Sequence, residues 1–572
     1  MMNRLRPLFL SLTVVVTGFL AYGLFTQPSP KPADAEGFSS ARVVEDIKVL
    51  SKDHHSVAHP QERAEVRDYL IGRLEELGAD TVMLFSYDSL TGPENRHVVY
   101  TFDAHNILAE FAPLDGADDV PYLMMVAHYD SRYSQPMPKD TVWSYGAADD
   151  GYGVGVILET VSQLLKERDN WRQGVKVLFT DAEEVGMMGM KAMWKNDKDV
   201  FSDVGLMINL EARGTYGPAL LFETCPGNEK IMDLYSDAAR YPYTYSLTTV
   251  VYNFMPNFTD FTIVKDEIPG LNFSNIADIN HYHTDLDNFD NISEKTIQHY
   301  GSQVLPVAQA YVTGDYPDKD AFRADADTVN FTVPGLGLFN FSKTLYLILN
   351  IALSLVFFLL LGYEIVRGRL NLIKALKVSG IILVLAIGVL ALGELIAYLS
   401  SLAAGARFKP FGVVVGVGFD NIAMIAATAV IALVSVMIYI AVRRTAVRKT
   451  AASMRHSAAV AAAARNSMTV LYGTLMLMCV LSLVLVFALG ENLMFFIPLF
   501  CAACALILWH VTSWKFWLLA AMALILLHAF SFLFALAMAL TIGAYGAVAM
   551  LAFLDLMVLI PMSDLYLTER RK

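Results

Sequence analysis

Cysteine is scarce in this chain. Four occur in 572 residues, and only Cys225 lies outside the strongly apolar C-terminal part. No disulfide can therefore form within the more polar part, and no thiolate cluster is available there to bind a metal. Cys501 and Cys504 make a C-x-x-C, but it sits inside an apolar segment with nothing polar to generate a reactive thiolate. That pair reads as helix packing rather than redox chemistry. An excess of positive charge is lacking too. Lys and Arg number 43 against 56 Asp and Glu, a formal −13, which weighs against nucleic acid as a partner. The glycine spacing fits neither a phosphate loop nor a dinucleotide fingerprint. No internal repeat of the kind that builds transporters stands out.

Apolar residues are what the chain has in excess. They make up 55 %, and the excess is local: residues 343–563 are almost uninterrupted apolar segments, while about 36–340 have an ordinary globular composition. Arg4 and Arg6 precede an apolar run from Leu8 to Phe25, so residues 1–26 read as an uncleaved membrane anchor, with a signal peptide as the alternative. Residues 27–39, with three prolines, read as a linker, 40–315 as a globular domain and 316–342 as a connector. Seven candidate spans follow, at about 344–363, 376–400, 421–442, 468–489, 492–510, 516–535 and 539–562, then a basic tail over 564–572. Arg367, Arg369 and Lys374 follow the first span, Arg443, Arg444, Arg448, Lys449, Arg455 and Arg465 the third, and Lys515 the fifth. With Arg570, Arg571 and Lys572 they fall on the side of the amino terminus, which predicts cytoplasmic termini and an exported globular domain in a lipid bilayer.

Within 40–315, strand-like runs at 82–86, 107–111, 121–127, 175–180, 205–210 and 219–223 alternate with helical spacing at 40–51, 60–78, 151–166, 229–240 and 293–313. The expected fold is α/β with a mostly parallel central sheet flanked by helices, followed by an all-α multi-span region. In such sheets ligands gather beyond the carboxyl ends of the strands. His128, Glu183, Glu184 and Glu211 each stand where an apolar run has just ended.

Five residues carry the chemistry. His128 is followed two positions on by Asp130, its expected orienting partner, since a metal-bound imidazole donates its other N–H to a carboxylate or carbonyl. Asp149 opens Asp-Asp-Gly-Tyr-Gly-Val-Gly at a helix start, where its two oxygens could bridge two cations, with Asp150 behind it. Glu183 and Glu184 are adjacent, so one can bind metal while the other serves as general base. Glu211 follows the run 206–210, with Arg213 two residues on as a clamp for a substrate carboxylate or a loop-stiffening ion pair. His283 completes the set; His281 is its nearest competitor, and the Tyr282 hydroxyl could serve a developing oxyanion. Two imidazoles and three carboxylates without thiolate suit two zinc ions.

These residues resemble the zinc-dependent aminopeptidases of the M28 clan. The resemblance covers about 40–315 and rests on Ala-His-Tyr-Asp-Ser (127–131), Gly-Ala-Ala-Asp-Asp-Gly (146–151), Ala-Glu-Glu-Val-Gly-Met-Met-Gly (182–189), Asn-Leu-Glu-Ala-Arg-Gly (209–214) and Tyr-His-Thr-x-x-Asp (282–287), in family order. It implies one zinc on His128, Asp149 and Glu211, a second on Asp149, Glu184 and His283, and Glu183 as base. The implied substrates are peptides with a free amino terminus. Many members have Asp where Glu211 stands; the Glu form is similar to the membrane-bound endoplasmic-reticulum and vacuolar metallopeptidases and to bacterial relatives with a helical membrane region. The compact length favours a bacterial inner membrane with a periplasmic domain over an endoplasmic-reticulum or vacuolar membrane. Glutaminyl cyclases share the fold and a His-Tyr-Asp-Ser segment, so an acyltransferase acting on amino-terminal Gln is an alternative. So is a receptor or transporter with a regulatory domain, for which Glu394, Asp420, His528 and Asp555 in or near the spans are the candidate residues. Asn257, Asn272, Asn291, Asn330 and Asn340 head Asn-x-Ser/Thr triplets, glycan acceptors if the chain is eukaryotic.

Overall fold

The computed structural model describes residues 2–24, 28–92, 101–114, 120–132, 135–136, 141–253, 258–333, 335–412, 414, 417, 422–448 and 456–568. It forms two compact units: Phe25–Thr332 with Leu336–Lys343, and Met1–Leu24 with Val333–Gly335 and Thr344–Lys572. An N-terminal helix α1 (Met2–Leu24) belongs to the second unit.

The first unit opens with α2 (Ser40–Leu50), α3 (Pro60–Glu76), β1 (Thr81–Thr91), β2 (Thr101–Phe111) and β3 (Tyr122–His128). A short pair β4 (Gln135–Pro136) and β5 (Thr141–Val142) precedes α4 (Gly151–Leu164), β6 (Gly174–Thr180), α5 (Met188–Asn196), β7 (Val204–Ala212) and β8 (Tyr216–Thr224). Then come α6 (Glu229–Ala238), α7 (Ser246–Asn253), α8 (Asp260–Val264), β9 (Gly270–Ala277), α9 (Glu294–Thr313), β10 (Thr328–Val333) and β11 (Gly337–Ser342).

Seven strands make one sheet in the order β1-β2-β6-β3-β7-β9-β8. Its centre, β6-β3-β7-β9, is parallel; β1 and β2 at one edge and β8 at the other run antiparallel to their neighbours. The sheet is thus mixed, where the sequence suggested a mostly parallel one. The connections explain this: β7 and β8 are separated only by residues 213–215, too few for the crossover that parallel strands require. The central strands are buried along nearly their whole length, β6 entirely, because helices cover both faces, and so they read as continuous apolar runs. Helix α4 crosses under β3 and β7 and packs closely on α2; a Cβ at Gly155 would stand 2.7 Å from Val43 Cγ1.

Among the described residues, both stretches read as linkers make contacts with the first unit. Gln298 Oε1 accepts the N–H of Lys31 at 3.2 Å, and Ser39 Oγ donates to the Lys31 carbonyl at 2.9 Å. Residues 316–342 hold the β10–β11 hairpin; Thr332 donates its N–H to the Thr244 carbonyl at 2.9 Å, and Phe322 is buried against Tyr311 and Tyr316. Asn272 and Asn330 are buried, which removes both as glycan acceptors; Asn257 lies outside the described residues.

The second unit continues with α10 (Lys343–Val366), α11 (Leu372–Ala404), α12 (Ile422–Arg448), α13 (His456–Leu489), α14 (Leu493–Thr512), α15 (Phe516–Leu540) and α16 (Tyr545–Leu567). These fall on the seven expected positions, although α13 starts earlier and takes in residues 456–465 of the Ala-rich stretch. Among the described residues five stretches are long and apolar enough to cross a membrane, the last of them, Phe516–Leu567, holding both α15 and α16. The apolar parts of α1 and α12, Leu5–Ala21 and Ala426–Ala441, are shorter. Of the ionisable residues singled out in the spans, Glu394 accepts the Gly546 N–H at 3.1 Å, while His528 and Asp555 are buried among apolar neighbours. Asp420, Lys449, Arg455 and the basic triplet at 570–572 lie outside the described residues.

Candidate metal centre

The carboxyl ends of the four parallel strands carry the site. His128 is the last residue of β3, and its register partner Thr180 is the last of β6. Glu183 and Glu184 follow in the turn beyond β6. Glu211 is the penultimate residue of β7, and His283 lies six positions past the end of β9. Asp149 precedes α4, whose N-cap is Asp150; Asp150 Oδ1 accepts the Gly153 N–H at 3.0 Å. The capping role therefore belongs to Asp150, which leaves the Asp149 carboxylate free of it.

The five side chains converge as two groups that share Asp149: His128, Asp149 and Glu211, and Asp149, Glu184 and His283, with the ligand atoms in each group within 4.8 Å of one another. His128 Nε2 lies 3.3 Å from Asp149 Oδ1 and 3.8 Å from Glu211 Oε2. His283 Nε2 lies 3.3 Å from Asp149 Oδ2 and 3.2 Å from Glu184 Oε2. Despite these separations, Asp149 Oδ2, Glu184 Oε1 and His283 Nε2 are buried without a hydrogen-bond partner. Buried polar atoms left unpaired at close range are costly in a protein, and they fit ligands aimed at a common cation. The donor set, imidazole and carboxylate with no thiolate, suits zinc. His281 is turned elsewhere: its Nδ1 pairs with Thr215 Oγ1 at 2.8 Å.

Asp130 partners the His128 ring through its backbone. His128 Nδ1 sits 2.9 Å from the Asp130 carbonyl oxygen, but 3.6 Å from its carboxylate, too far for a hydrogen bond. The backbone of Asp130 orients the ring. Its carboxylate instead accepts the N–H groups of Glu183 at 2.9 Å and Glu184 at 3.3 Å, fixing the turn that carries both. Ala182, just before them, and His283 adopt left-handed backbone angles, φ 57° and 61°, uncommon for non-glycine residues. Asp287 holds the Asp149 loop, accepting the N–H of Ala148 at 2.7 Å and of Asp149 at 3.3 Å together with the Ser144 hydroxyl at 2.9 Å.

Environment separates the adjacent glutamates. Desolvation, then the charge of Glu211, pushes the Glu183 carboxyl well above the usual carboxylate range. Burial opposes the charge of Glu184 as well, but His283 and Arg132 outweigh it and hold that group below the usual range. Two neighbouring carboxyls driven apart in this way can divide the work of proton acceptor and charged ligand. Burial, then Asp149 and Glu184, pushes the Tyr282 hydroxyl upward; its ring stacks on His283 with centroids 3.5 Å apart. Arg213 lies at the same rim with no ion pair among the described residues, so the loop-stiffening salt bridge is absent there.

Three site residues escaped the sequence. Arg132 donates from Nη1 to the Glu184 carbonyl at 2.5 Å and to Oε2 at 3.1 Å. Asp260, the first residue of α8, is buried and receives the Thr180 hydroxyl, with its carboxyl pushed up to about 6, chiefly by burial. Tyr252, on α7, has a buried hydroxyl without a partner. None stands in a spacing that announces a role; only the fold brings them here.

Residues 106–308 match the model of peptidase family M28. This stretch is an M28 peptidase domain. Over 289 residues, 50 % of its length, the chain is 28 % identical to endoplasmic reticulum metallopeptidase 1 of Mus musculus, of which 30 % is covered. Over 316 residues, 54 % of the chain, it is 27 % identical to the vacuolar membrane protease of Candida albicans (strain WO-1), of which 35 % is covered. The chain thus spans about a third of the length of these curated relatives. A solved glutaminyl cyclase from Porphyromonas gingivalis aligns at 18 % identity and a TM-score of 0.38, covering 49 % of this chain and 100 % of the cyclase. The M28 domain is followed by long apolar helices, which mark a membrane protein.

Proposed function

We propose that the chain is a membrane-anchored di-zinc aminopeptidase that removes amino-terminal residues from peptides on the extracytoplasmic side, most simply the periplasmic face of a bacterial inner membrane. The reading is carried by one observation: two three-residue ligand groups that share Asp149. Zinc held by His128, Asp149 and Glu211, and by Asp149, Glu184 and His283, would supply polarisation of the scissile carbonyl and a lowered pKa for a water.

The chain's own residues do the rest. The Glu183 carboxylate takes the proton of the attacking water and returns it to the departing amine. Asp130 keeps that carboxylate in place through the Glu183 N–H. Arg132 steadies Glu184. Tyr282 stacks on His283, which supports a role for its hydroxyl as donor to the oxyanion of the tetrahedral intermediate.

A panel of aminoacyl fluorogenic substrates, run with and without chelator, tests this. Chelator-sensitive release of the fluorophore supports it. Release of ammonia from amino-terminal Gln peptides without peptide cleavage would replace it with the cyclase reaction.

A further inference from the structure

The hairpin of β10 and β11 is divided by polarity. Thr328, Asn330 and Thr332 alternate along β10 and so share one face. The Thr328 hydroxyl donates to Asn228 Oδ1 at 3.2 Å, Asn330 Oδ1 accepts the Thr244 hydroxyl at 3.0 Å, and the Thr332 hydroxyl donates to the Pro242 carbonyl at 3.1 Å. These bonds fix the hairpin to the M28 domain. Behind the tip, the Phe331 ring stacks on Phe339 with centroids 5.4 Å apart, and Phe341 lies 6.1 Å from Phe331.

The tip itself stands clear of the described residues. Gly335 and Gly337 take left-handed φ angles of 74° and 98°, and a Cβ on either would meet no atom within 4 Å. Leu336, between them, is 59 % exposed. The loop that Thr332 holds through Pro242 carries a second exposed ring, Tyr241, at 62 %, next to an exposed Arg240. A single exposed leucine needs no explanation. A leucine, a tyrosine and an arginine brought out on two bonded loops are the composition of a membrane interface: an apolar body, an amphipathic ring and a cation for phosphate.

Chain continuity points to the same occupant. β11 (Gly337–Ser342) passes into the apolar helix α10 at Lys343 with no spacer. The residues on either side of the strand, Val333–Gly335 and Thr344, belong to the unit of apolar helices.

We propose that the hairpin tip is a lipid anchor of the M28 domain: Leu336 and Tyr241 enter the interface of the leaflet on the domain's own side, with Arg240 at the level of the phosphates. The anchor is independent of the peptidase reading. It adds a lipid contact to the covalent link between the domain and its membrane helices.

The test uses the full chain in nanodiscs of phosphatidylcholine and phosphatidylglycerol, with a nitroxide on Leu336→Cys, Tyr241→Cys or Val49→Cys. Val49, on α2, is 43 % exposed and serves as the aqueous reference. Cys225, Cys479 and Cys501 are buried and Cys504 is partly so, and the unsubstituted chain labelled in parallel gives the background. Collisions are read with oxygen, which partitions into lipid, and with a water-soluble nickel chelate. Labels at 336 and 241 should favour oxygen over nickel, and the label at 49 the reverse. The two tip labels are separate proteins, so poor folding of one leaves the other to decide. Nickel collisions at 336 and 241 as frequent as at 49 overturn the anchor. So does protection that appears only in discs holding two chains, with dipolar broadening between the labels, because a second copy then covers the tip.

Discussion

Asp130 Oδ1 accepts the backbone N–H of Glu183 at 2.9 Å. This bond separates two functions that sequence alone would merge, because the ring of His128 is held by the Asp130 carbonyl, which survives any substitution at the position. Asp130→Ala should therefore retain metal and lose kcat by about 10–100-fold, the usual cost of removing a supporting hydrogen bond at a metal site. Metal content and steady-state kinetics on the same preparation check it; loss of metal in parallel with activity would return the carboxylate to the role of ring orienter.

Gly189 is where the catalytic turn meets the body of the domain. A Cβ there would lie 2.2 Å from the Asp181 carbonyl oxygen and 2.4 Å from Asn106 Oδ1. Neither can retreat easily, since Asn106 Oδ1 accepts the Asp181 N–H at 3.0 Å and the Asp181 carbonyl accepts the Gly189 N–H at 3.1 Å. Gly189→Ala should cost about 1–3 kcal/mol by overpacking, and should lower kcat by displacing Glu183 and Glu184. Denaturant midpoints and turnover of the variant measure the two effects.

Stability should fall in acid through His299. Its Nδ1 accepts the Ala219 N–H at 2.9 Å and its Nε2 lies 2.9 Å from the Tyr241 carbonyl, which fixes a neutral ring. Burial pushes its pKa down to about 4. The unfolded chain binds a proton near 6.5 and the folded one only near 4, so the contribution is complete above 6.5 and is lost as pH falls between these values. The full loss is roughly 3 kcal/mol. His299→Gln, compared with the unsubstituted chain in urea across this range, should flatten that part of the pH profile; identical slopes would show that His299 is not the group responsible.

How much of this was readable beforehand depends on how each residue is buried. β3, β6 and β7 announced themselves as apolar runs because both of their faces are covered. The ligands stood out because polar residues directly after such runs are conspicuous. β9 is just as buried yet escaped notice, because Asn272, Ser274 and Asn275 interrupt its pattern. Their polarity is met inside the fold, as when Asn272 Nδ2 donates to Glu223 Oε2 at 2.9 Å and Asn275 Nδ2 to the Gly214 carbonyl at 2.6 Å. The hairpin of β10 and β11 was missed for a similar reason: Asn330 and Thr332 look like linker residues until Thr244 is seen to pair with both. Arg132 and Asp260 have no local signature at all, since what matters is their proximity to Glu184 and Thr180.

In the proposed centre Asp149 is shared by two cations. Elemental analysis of the purified full chain tests it most directly. About two zinc per chain are expected in the unsubstituted protein and in Glu183→Gln, the latter with kcat lowered by at least about 10²-fold, and loss of metal is expected in Asp149→Asn. A chain that binds no divalent metal, or an Asp149→Asn variant that keeps its full complement, would contradict it.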